Sequence, residues 1–195
     1  MARQLWLLRH AEAEPHGTRT DAQRRLTARG EGQARAAGLA LARLGADFDS
    51  VLFSPKVRAK QTAELAGAGW SKDQRERLQV HAPLAGGFDA SQALARLADV
   101  PADGRLLLVG HEPDLSSVIG DLTGGRVDLK KGGLAVVRLE GGAAGRKPAS
   151  RAPLLQSEGS PAHPVGGELT VLLRPRELAL IAGLGGVGGV PIHGN

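Results

Sequence analysis

Two histidines in this sequence each follow a short apolar run at the point where the run ends. In "LWLLRHAEAE" the run Leu5–Leu8 leads into Arg9 and His10, and in "RLLLVGHEPDL" the run Leu106–Val109 leads, through one glycine, into His111. Such runs are typical of buried parallel strands, and ligands bind beyond the carboxyl ends of those strands. A neutral imidazole is a nucleophile, and a guanidinium binds phosphate oxygens in pairs. Together these residue types predict a site for a phosphoryl group.

A third stretch with compatible chemistry is "SVLFSPKVRAK", which starts at residue 50. Its apolar residues predict a strand over 51–53. Ser54 and Pro55 predict a helix start, with the serine as N-cap and the proline in the first helical position. Arg58 would then lie in the first turn, where unpaired N–H groups and the helix dipole favour an anion.

The carboxyl ends of parallel strands meet at one edge of a sheet, so we expect these stretches to form one pocket. Four side chains would surround the phosphoryl group: Arg9, His10, Arg58 and His111. The sequence has no cysteine, no Walker phosphate loop and no dense carboxylate cluster for paired metals. His10 is therefore the candidate nucleophile, with His111 donating a hydrogen bond as charge develops. We expect no metal and no other cofactor, since the arginines supply the positive charge.

The rest of the pattern alternates strands with helices, which predicts an α/β layered domain with a mainly parallel sheet. The predicted strands are 3–8, 51–53, 78–81, 105–109, 133–141 and 167–175. The predicted helices are 27–44 capped by Thr27, 55–66, one capped by Ser91, one capped by Asp114, and 176–182. Glycines at 30, 32 and 38 weaken the first helix by itself, so tertiary packing must stabilise it.

Length and composition predict one globular domain, since the 195 residues are 42% apolar and 23% charged. The absence of cysteine favours a reducing compartment, and no run approaches the ~20 apolar residues that span a bilayer. We therefore expect a cytoplasmic protein with no membrane partner. The net charge of +5 is consistent with solvated helix faces and with steering of a phosphorylated substrate.

Four segments in order resemble the histidine phosphatase superfamily, and most closely its small SixA-type branch of phosphohistidine phosphatases. They are "LLRHAEA", "RLTARG", "SPKVRAKQTAE" and "LLLVGHEPDL". The resemblance covers about residues 3–140, and "LTVLLRPREL" at 169–178 is similar to the closing strand of that branch. It implies a phosphoglycerate mutase-like fold, a three-layer αβα sandwich with a mainly parallel mixed sheet. The domain would span 1–182, with a flexible insertion at 141–167 and a disordered tail at 183–195.

The resemblance also implies roles for individual residues. His10 would be the nucleophile that is phosphorylated, Arg9 and Arg58 the phosphate clamps, and His111 the second histidine of the pocket. Arg24, in "RRLTARG", is a candidate for substrate binding at the pocket mouth, with a solvated loop cation as the other interpretation. Ser54 is expected to cap its helix rather than to contact the substrate.

A departure from the family pattern concerns the general acid. Esterase and mutase members carry a carboxylate after the helix that contains the Arg58-type residue. That stretch here reads "VHAPLAGGFDAS", and no glutamate occurs between Glu76 and Glu112. Asp89 and Glu12 are candidates for the acid, although a helix-entry or loop role explains either of them. An alkoxide needs a proton to leave, whereas an imidazole leaves more easily, so a missing acid favours phosphohistidine on a protein as substrate.

Three alternatives remain open from the sequence. One is a broad phosphomonoesterase or mutase-like enzyme for small phosphorylated metabolites, with Asp89 or Glu12 as acid. Another is a non-catalytic module that binds phosphate or nucleic acid, although no aromatic stacking platform indicates a nucleic-acid partner. The third is a metal hydrolase built from His10, Glu12, His111 and Asp114. The oligomeric state is not indicated.

Overall fold

Six strands and six helices form the parts of the chain that the computed structural model describes, residues 2–140 and 166–184. The strands are β1 (Ala2–Arg9), β2 (Ser50–Phe53), β3 (Leu78–Val80), β4 (Arg105–Gly110), β5 (Leu134–Glu140) and β6 (Glu168–Leu173). The helices are α1 (Ala28–Arg43), α2 (Val57–Gly67), α3 (Lys72–Glu76), α4 (Ala90–Ala98), α5 (Asp114–Thr123) and α6 (Pro175–Ile181). Residues 141–165 of the predicted flexible insertion and 185–195 of the predicted tail lie outside the described residues.

The strands form one mixed sheet in the order β3-β2-β4-β1-β5-β6. β3, β2, β4 and β1 run parallel, whereas β5 is antiparallel to β1 and β6 is antiparallel to β5. The strand β1, which leads into His10, therefore lies inside the sheet between β4 and β5. The predicted mainly parallel mixed sheet is confirmed.

Side chains that alternate along the central strands divide the core into two layers. Trp6 and Leu8 face a cluster formed with α1, α2 and α6, whereas Leu5 and Leu7 face a cluster formed with α4 and α5. The side chains of β4 alternate between the same two clusters. Burying a leucine stabilises the fold by about 2 kcal/mol, so both faces of the sheet must be covered. The three-layer αβα architecture follows from this alternation.

The register of β1 and β4 brings their carboxyl ends to the same level. Arg9 pairs with Gly110, and the backbone N–H of His10 donates to the Gly110 carbonyl at 3.0 Å. Ser54, which follows β2, donates its N–H to the Val109 carbonyl at 3.0 Å. The segments after β1, β2 and β4 are thus adjacent at one edge of the sheet, as the sequence predicts.

The starts of two helices differ from the sequence interpretation. Helix α2 begins at Val57 with Lys56 as N-cap, so the prediction that Ser54 caps it is wrong. Ser54 is fully buried, and its hydroxyl is a hydrogen-bond partner of the His111 ring. Helix α5 has Pro113 as its N-cap, and the Asp114 carboxylate instead accepts from the N–H of Phe88 at 3.0 Å.

The start of α4 differs as well. Asp89, not Ser91, is the N-cap: its carboxylate accepts from the Gln92 N–H at 2.8 Å, and the Gln92 side chain accepts from the Asp89 N–H at 3.0 Å. This reciprocal pair is a capping box, which satisfies two N–H groups that the helix leaves free. The short helix α3 was not predicted. It lies in the stretch after α2 where the sequence shows no clear period.

Two glycines of α1 allow close backbone contacts that no other residue permits. A Cβ on Gly38 would lie 2.0 Å from the Ala66 carbonyl oxygen of α2, and one on Gly30 would lie 1.9 Å from the Glu12 carbonyl oxygen. Gly32, on the exposed face of the same helix, has nothing within 4 Å of that position. Packing against α2 and the segment after β1 therefore stabilises a helix whose glycines weaken it.

Gly38→Ala is expected to destabilise the protein by more than about 2 kcal/mol, because the methyl group forces α1 and α2 apart. Gly32→Ala is the matched control on the same helix. It should stabilise the protein by about 0.5–1 kcal/mol, since alanine is the better helix former and its methyl group meets open space. Urea unfolding of both variants measures the difference. Equal effects of the two changes would contradict the packing described here.

Candidate active site

His10 follows β1 directly and is buried. Its Nδ1 lies 2.8 Å from the carbonyl oxygen of Ala11. A carbonyl only accepts, so this contact requires the proton on Nδ1 and leaves a lone pair on Nε2. The Nε–H of Arg58 donates to that Nε2 at 3.2 Å. His10 is thus held with the lone pair of Nε2 toward the Arg58 guanidinium.

His111 follows β4 and lies beside His10, with 5.0 Å between the ring centroids. Its Nε2 is 2.8 Å from the Ser54 hydroxyl oxygen. Its Nδ1 is buried and has no hydrogen-bond partner within residues 2–140 and 166–184. The Ser54 hydroxyl can donate to Nε2 or accept from it, so this contact is compatible with either tautomer of the His111 ring.

Both imidazoles are neutral at pH 7. Burial lowers the pKa of His10 to about 3; the hydrogen bond to Ala11 opposes this shift, and the charges of Arg58 and Arg9 add to it. Burial also lowers the pKa of His111 to about 3, with further lowering by His10 and Arg58. A neutral His10 has the lone pair that attack on phosphorus requires.

Arg58 lies in the first turn of α2, with its side chain only 5% exposed. In addition to the contact of its Nε with His10, Arg58 donates from Nη1 to the Asp21 carbonyl at 2.6 Å and from Nη2 to the Asp21 carboxylate at 3.3 Å. Thr62, one turn later, donates its hydroxyl to the Arg58 carbonyl at 2.6 Å and accepts from the Ala11 N–H at 3.1 Å. The threonine therefore ties the arginine's helix to the segment that contains His10.

Arg9 is anchored on the β5 side of the pocket. Its Nη1 donates to the Leu129 carbonyl at 2.8 Å, and its Nε is buried without a partner in the described part of the chain. The Gly132 N–H donates to the carbonyls of both Arg9 and His10. The structure thus brings Arg58 and His111 into contact with His10, and it places Arg9 close enough for its charge to lower the pKa of His10.

Arg24 is buried, contrary to the interpretation as a solvated loop cation. It donates to the Asp21 carboxylate through Nη2 at 2.7 Å and through Nε at 3.2 Å, and to the Glu14 carbonyl at 2.8 Å. Lys56 binds the same carboxylate at 2.9 Å. Sequence reasoning missed Asp21 and Lys56, although Lys56 stands two residues before Arg58.

The predicted acid candidates have structural partners at helix starts. Asp89 caps α4, as described above. The Glu12 carboxylate accepts from the Thr27 hydroxyl at 3.0 Å and lies 3.5 Å from Arg29, at the start of α1. Sequence reasoning gave no role to Glu112, directly after His111. Burial raises the pKa of Glu112, and its Oε1 is buried without a partner among the described residues.

Within residues 2–140 and 166–184, no three histidine or carboxylate side chains are grouped to hold a metal ion. The set His10, Glu12, His111 and Asp114 is divided, because Glu12 faces the start of α1 and Asp114 binds a backbone N–H of the loop before α4. None of the helices in those ranges is both long and apolar enough to cross a bilayer.

Comparisons with known proteins identify the family. The model of the histidine phosphatase superfamily (branch 1) matches residues 5–81, which include His10 and Arg58. An uncharacterized protein of Picosynechococcus sp. strain PCC 7002 is 34% identical over 146 residues, which are 72% of this chain and 87% of that protein. The chain belongs to the histidine phosphatase superfamily. The resemblance inferred from the four sequence segments is confirmed.

Solved structures similar to this histidine phosphatase include two named SixA. The protein histidine phosphatase SixA complexed with tungstate has a TM-score of 0.69 at 20% identity, over 90% of this chain and 99% of that one. A structure named "Putative Phosphohistidine Phosphatase SixA" from Nakamurella multipartitia has a TM-score of 0.63 at 27% identity, over 90% of this chain and 97% of that one. The fold is also shared by alpha-ribazole phosphatase from Shigella flexneri and by a mycobacterial glucosyl-3-phosphoglycerate phosphatase.

The neutral histidines of this phosphatase predict how its stability depends on pH. Their folded-state pKa values lie below the value of about 6.5 in the unfolded chain, so the unfolded state takes up more protons between pH 6.5 and 3. The free energy of unfolding should therefore fall as the pH falls through that window. His10→Gln should remove about one proton of uptake, which reduces the slope by ~1.4 kcal/mol per pH unit.

Urea unfolding at pH 7.5, 6.0 and 5.0 measures this slope. His16→Gln is the control, because it makes the same change at an exposed position. A His10→Gln variant with the slope of the unmodified protein would show that the imidazole is not held neutral by the fold.

Proposed function

We propose that this member of the superfamily is a metal-independent phosphatase that acts on phosphohistidine in proteins. In the first step Nε2 of His10 attacks phosphorus, a new N–P bond forms, and the N–P bond to the substrate imidazole breaks. The departing imidazole takes up one proton from solvent. In the second step water attacks the phosphoryl group, the bond to His10 breaks, and inorganic phosphate and neutral His10 are restored.

The observation that supports this mechanism most directly is the tautomer of His10. The Ala11 carbonyl holds the proton on Nδ1, and Arg58 approaches the lone pair of Nε2 at 3.2 Å. Nucleophile and phosphate-binding cation are therefore aligned by the fold before the substrate arrives. Such preorganised donors contribute roughly 3–4 kcal/mol each to stabilising a transition state.

The carboxylate nearest the cationic cluster supports a phosphoramidate substrate. Hydrogen bonds from Lys56 and Arg24 hold the pKa of Asp21 well below its usual range. This carboxyl has no proton to donate at neutral pH, so Asp21 cannot protonate an alkoxide leaving group. An imidazole leaves more easily, which favours phosphohistidine over a phosphate ester.

A basic cleft beside Arg9 supports a protein as the bearer of that phosphohistidine. The cleft has a volume of about 570 Å³ and lies next to Leu129, whose carbonyl anchors Arg9. Its lining includes four cations, Arg126, Lys130, Arg174 and Arg176, beside the acidic Asp128 and Glu177. Excess positive charge next to the pocket would attract an acidic protein surface. The lack of cysteine supports the cytoplasm as the place where the two proteins meet.

A quench in alkaline detergent after incubation with a radiolabelled phosphohistidine peptide tests the mechanism, because the N–P bond survives alkali and is broken by later acid treatment. We expect acid-labile label on His10, loss of that label in His10→Ala, and full turnover in the presence of a chelator. A loss of activity of about a thousandfold or more is expected for His10→Ala, since the nucleophile is removed. Label on any other residue would contradict the proposed intermediate.

A second candidate function, hydrolysis of small phosphate esters, is supported by Glu112. Its raised pKa and its buried Oε1 are properties of a general acid, and metabolite phosphatases share the fold. Glu112→Gln distinguishes the two functions. It should leave hydrolysis of the phosphohistidine peptide within about twofold, whereas an esterase that uses this acid should lose about a hundredfold or more on glycerol 2-phosphate, whose alkoxide needs a proton to leave.

A further inference from the structure

The Asp21 carboxylate contacts three cations, one from its own loop and two from the start of α2. Its Oδ1 accepts from Arg24, and its Oδ2 accepts from Lys56 at 2.9 Å and from Arg58 at 3.3 Å. The carboxylate is 44% exposed, while the Arg24 and Arg58 side chains are almost fully buried. An accessible anion thus contacts buried positive charge next to His10.

The guanidinium of Arg58 shows why this position matters. Its Nε–H and one Nη2–H point from the same edge, which is the edge that grips two oxygens of a phosphate. In the structure Nε donates to Nε2 of His10, and Nη2 donates one of its two hydrogens to the Asp21 carboxylate. A phosphoryl group that reaches His10 would bind the same guanidinium, so it competes with the Asp21 carboxylate for the positive charge of Arg58.

We propose that Asp21 is a resident counter-anion that a phosphoryl group displaces from Arg58, and that it sets the affinity of the pocket for phosphate. It holds Arg24, Lys56 and Arg58 in their places and weakens anion binding by its own charge. When phosphate is the product, the returning carboxylate promotes its release. Asp21 is therefore a positioning residue and a determinant of affinity, and it takes no part in bond breaking.

The direction of the effect separates this role from a structural one. A carboxylate that only supported the cations would weaken phosphate binding when removed. Removal of a competing carboxylate would instead strengthen phosphate binding. Asp21→Asn makes this test, because it removes the negative charge but keeps an acceptor oxygen. Two like charges within hydrogen-bond reach of the same cations repel strongly, even after screening by solvent. Inorganic phosphate should therefore bind roughly five- to tenfold more tightly to Asp21→Asn.

Titration calorimetry with inorganic phosphate at pH 7.5 tests the inference without needing turnover. Asp21→Glu restores the charge and should return the affinity toward that of the unmodified protein. Asp103→Asn makes the same charge change at an exposed turn remote from these contacts, and should leave the affinity unchanged. In steady-state assays Asp21→Asn should lower KM together with kcat, since product release slows.

The inference rests on the proposed function, because it assumes that the pocket binds phosphate. If the unmodified protein does not bind phosphate, the proposed function fails. If the unmodified protein binds but a folded Asp21→Asn binds equally or less tightly, the inference alone fails. Carbon-13 NMR of the Asp21 side-chain carboxyl in the unmodified protein is a second measurement: added phosphate should shift this resonance, and an unchanged resonance at saturation would overturn the displacement.

Discussion

The hydrogen bond between Nδ1 of His10 and the Ala11 carbonyl determines what the rest of the site can do. It settles the tautomer, and with it the nitrogen that has the lone pair. Had the proton been on Nε2, the Arg58 Nε–H and the imidazole would repel each other, and the ring would present a donor to phosphorus. The contact depends only on backbone position, which the pairing of β1 with β4 and β5 holds on both sides.

Burial of the histidines and arginines keeps the imidazoles neutral, and it also lowers the stability of the fold. Two imidazoles and two arginines lie at one sheet edge where desolvation lowers the pKa of each. The only ionised side chain that directly offsets the charge of Arg58 in the described residues is the Asp21 carboxylate. Concentrated positive charge of this kind is unfavourable for folding by itself, yet it is what a doubly charged anion requires.

Much of the fold and of the pocket could be predicted from the sequence. Apolar runs that end in His10 and His111 indicate strands that deliver side chains to one edge, and helical spacing locates α1 and α5. The helix starts were harder to predict. Ser54 and Asp114 are residue types that often cap helices, but here their side chains form hydrogen bonds with residues distant in the sequence. No local pattern shows that a serine after a strand will meet a histidine 57 residues later.

The contacts of Asp21 were beyond sequence reasoning for a different reason. They depend on how the loop between β1 and α1 folds over α2, and a polar loop has no period to interpret. Glu112 was visible next to His111, but its burial is a property of the packed structure. Patterns of residues thus locate strands and their terminal side chains, whereas the balance of charge around a pocket depends on loops.

The close approach of Gly30 to the Glu12 carbonyl has an evolutionary consequence. Any larger residue at Gly30 would push against the backbone of Glu12, two residues after His10, so this helix face has little freedom to vary. The 125–131 loop, which borders Arg9, has more freedom to vary, because several of its side chains line the cleft. Substitutions there could change the surroundings of the site while His10 stays in place.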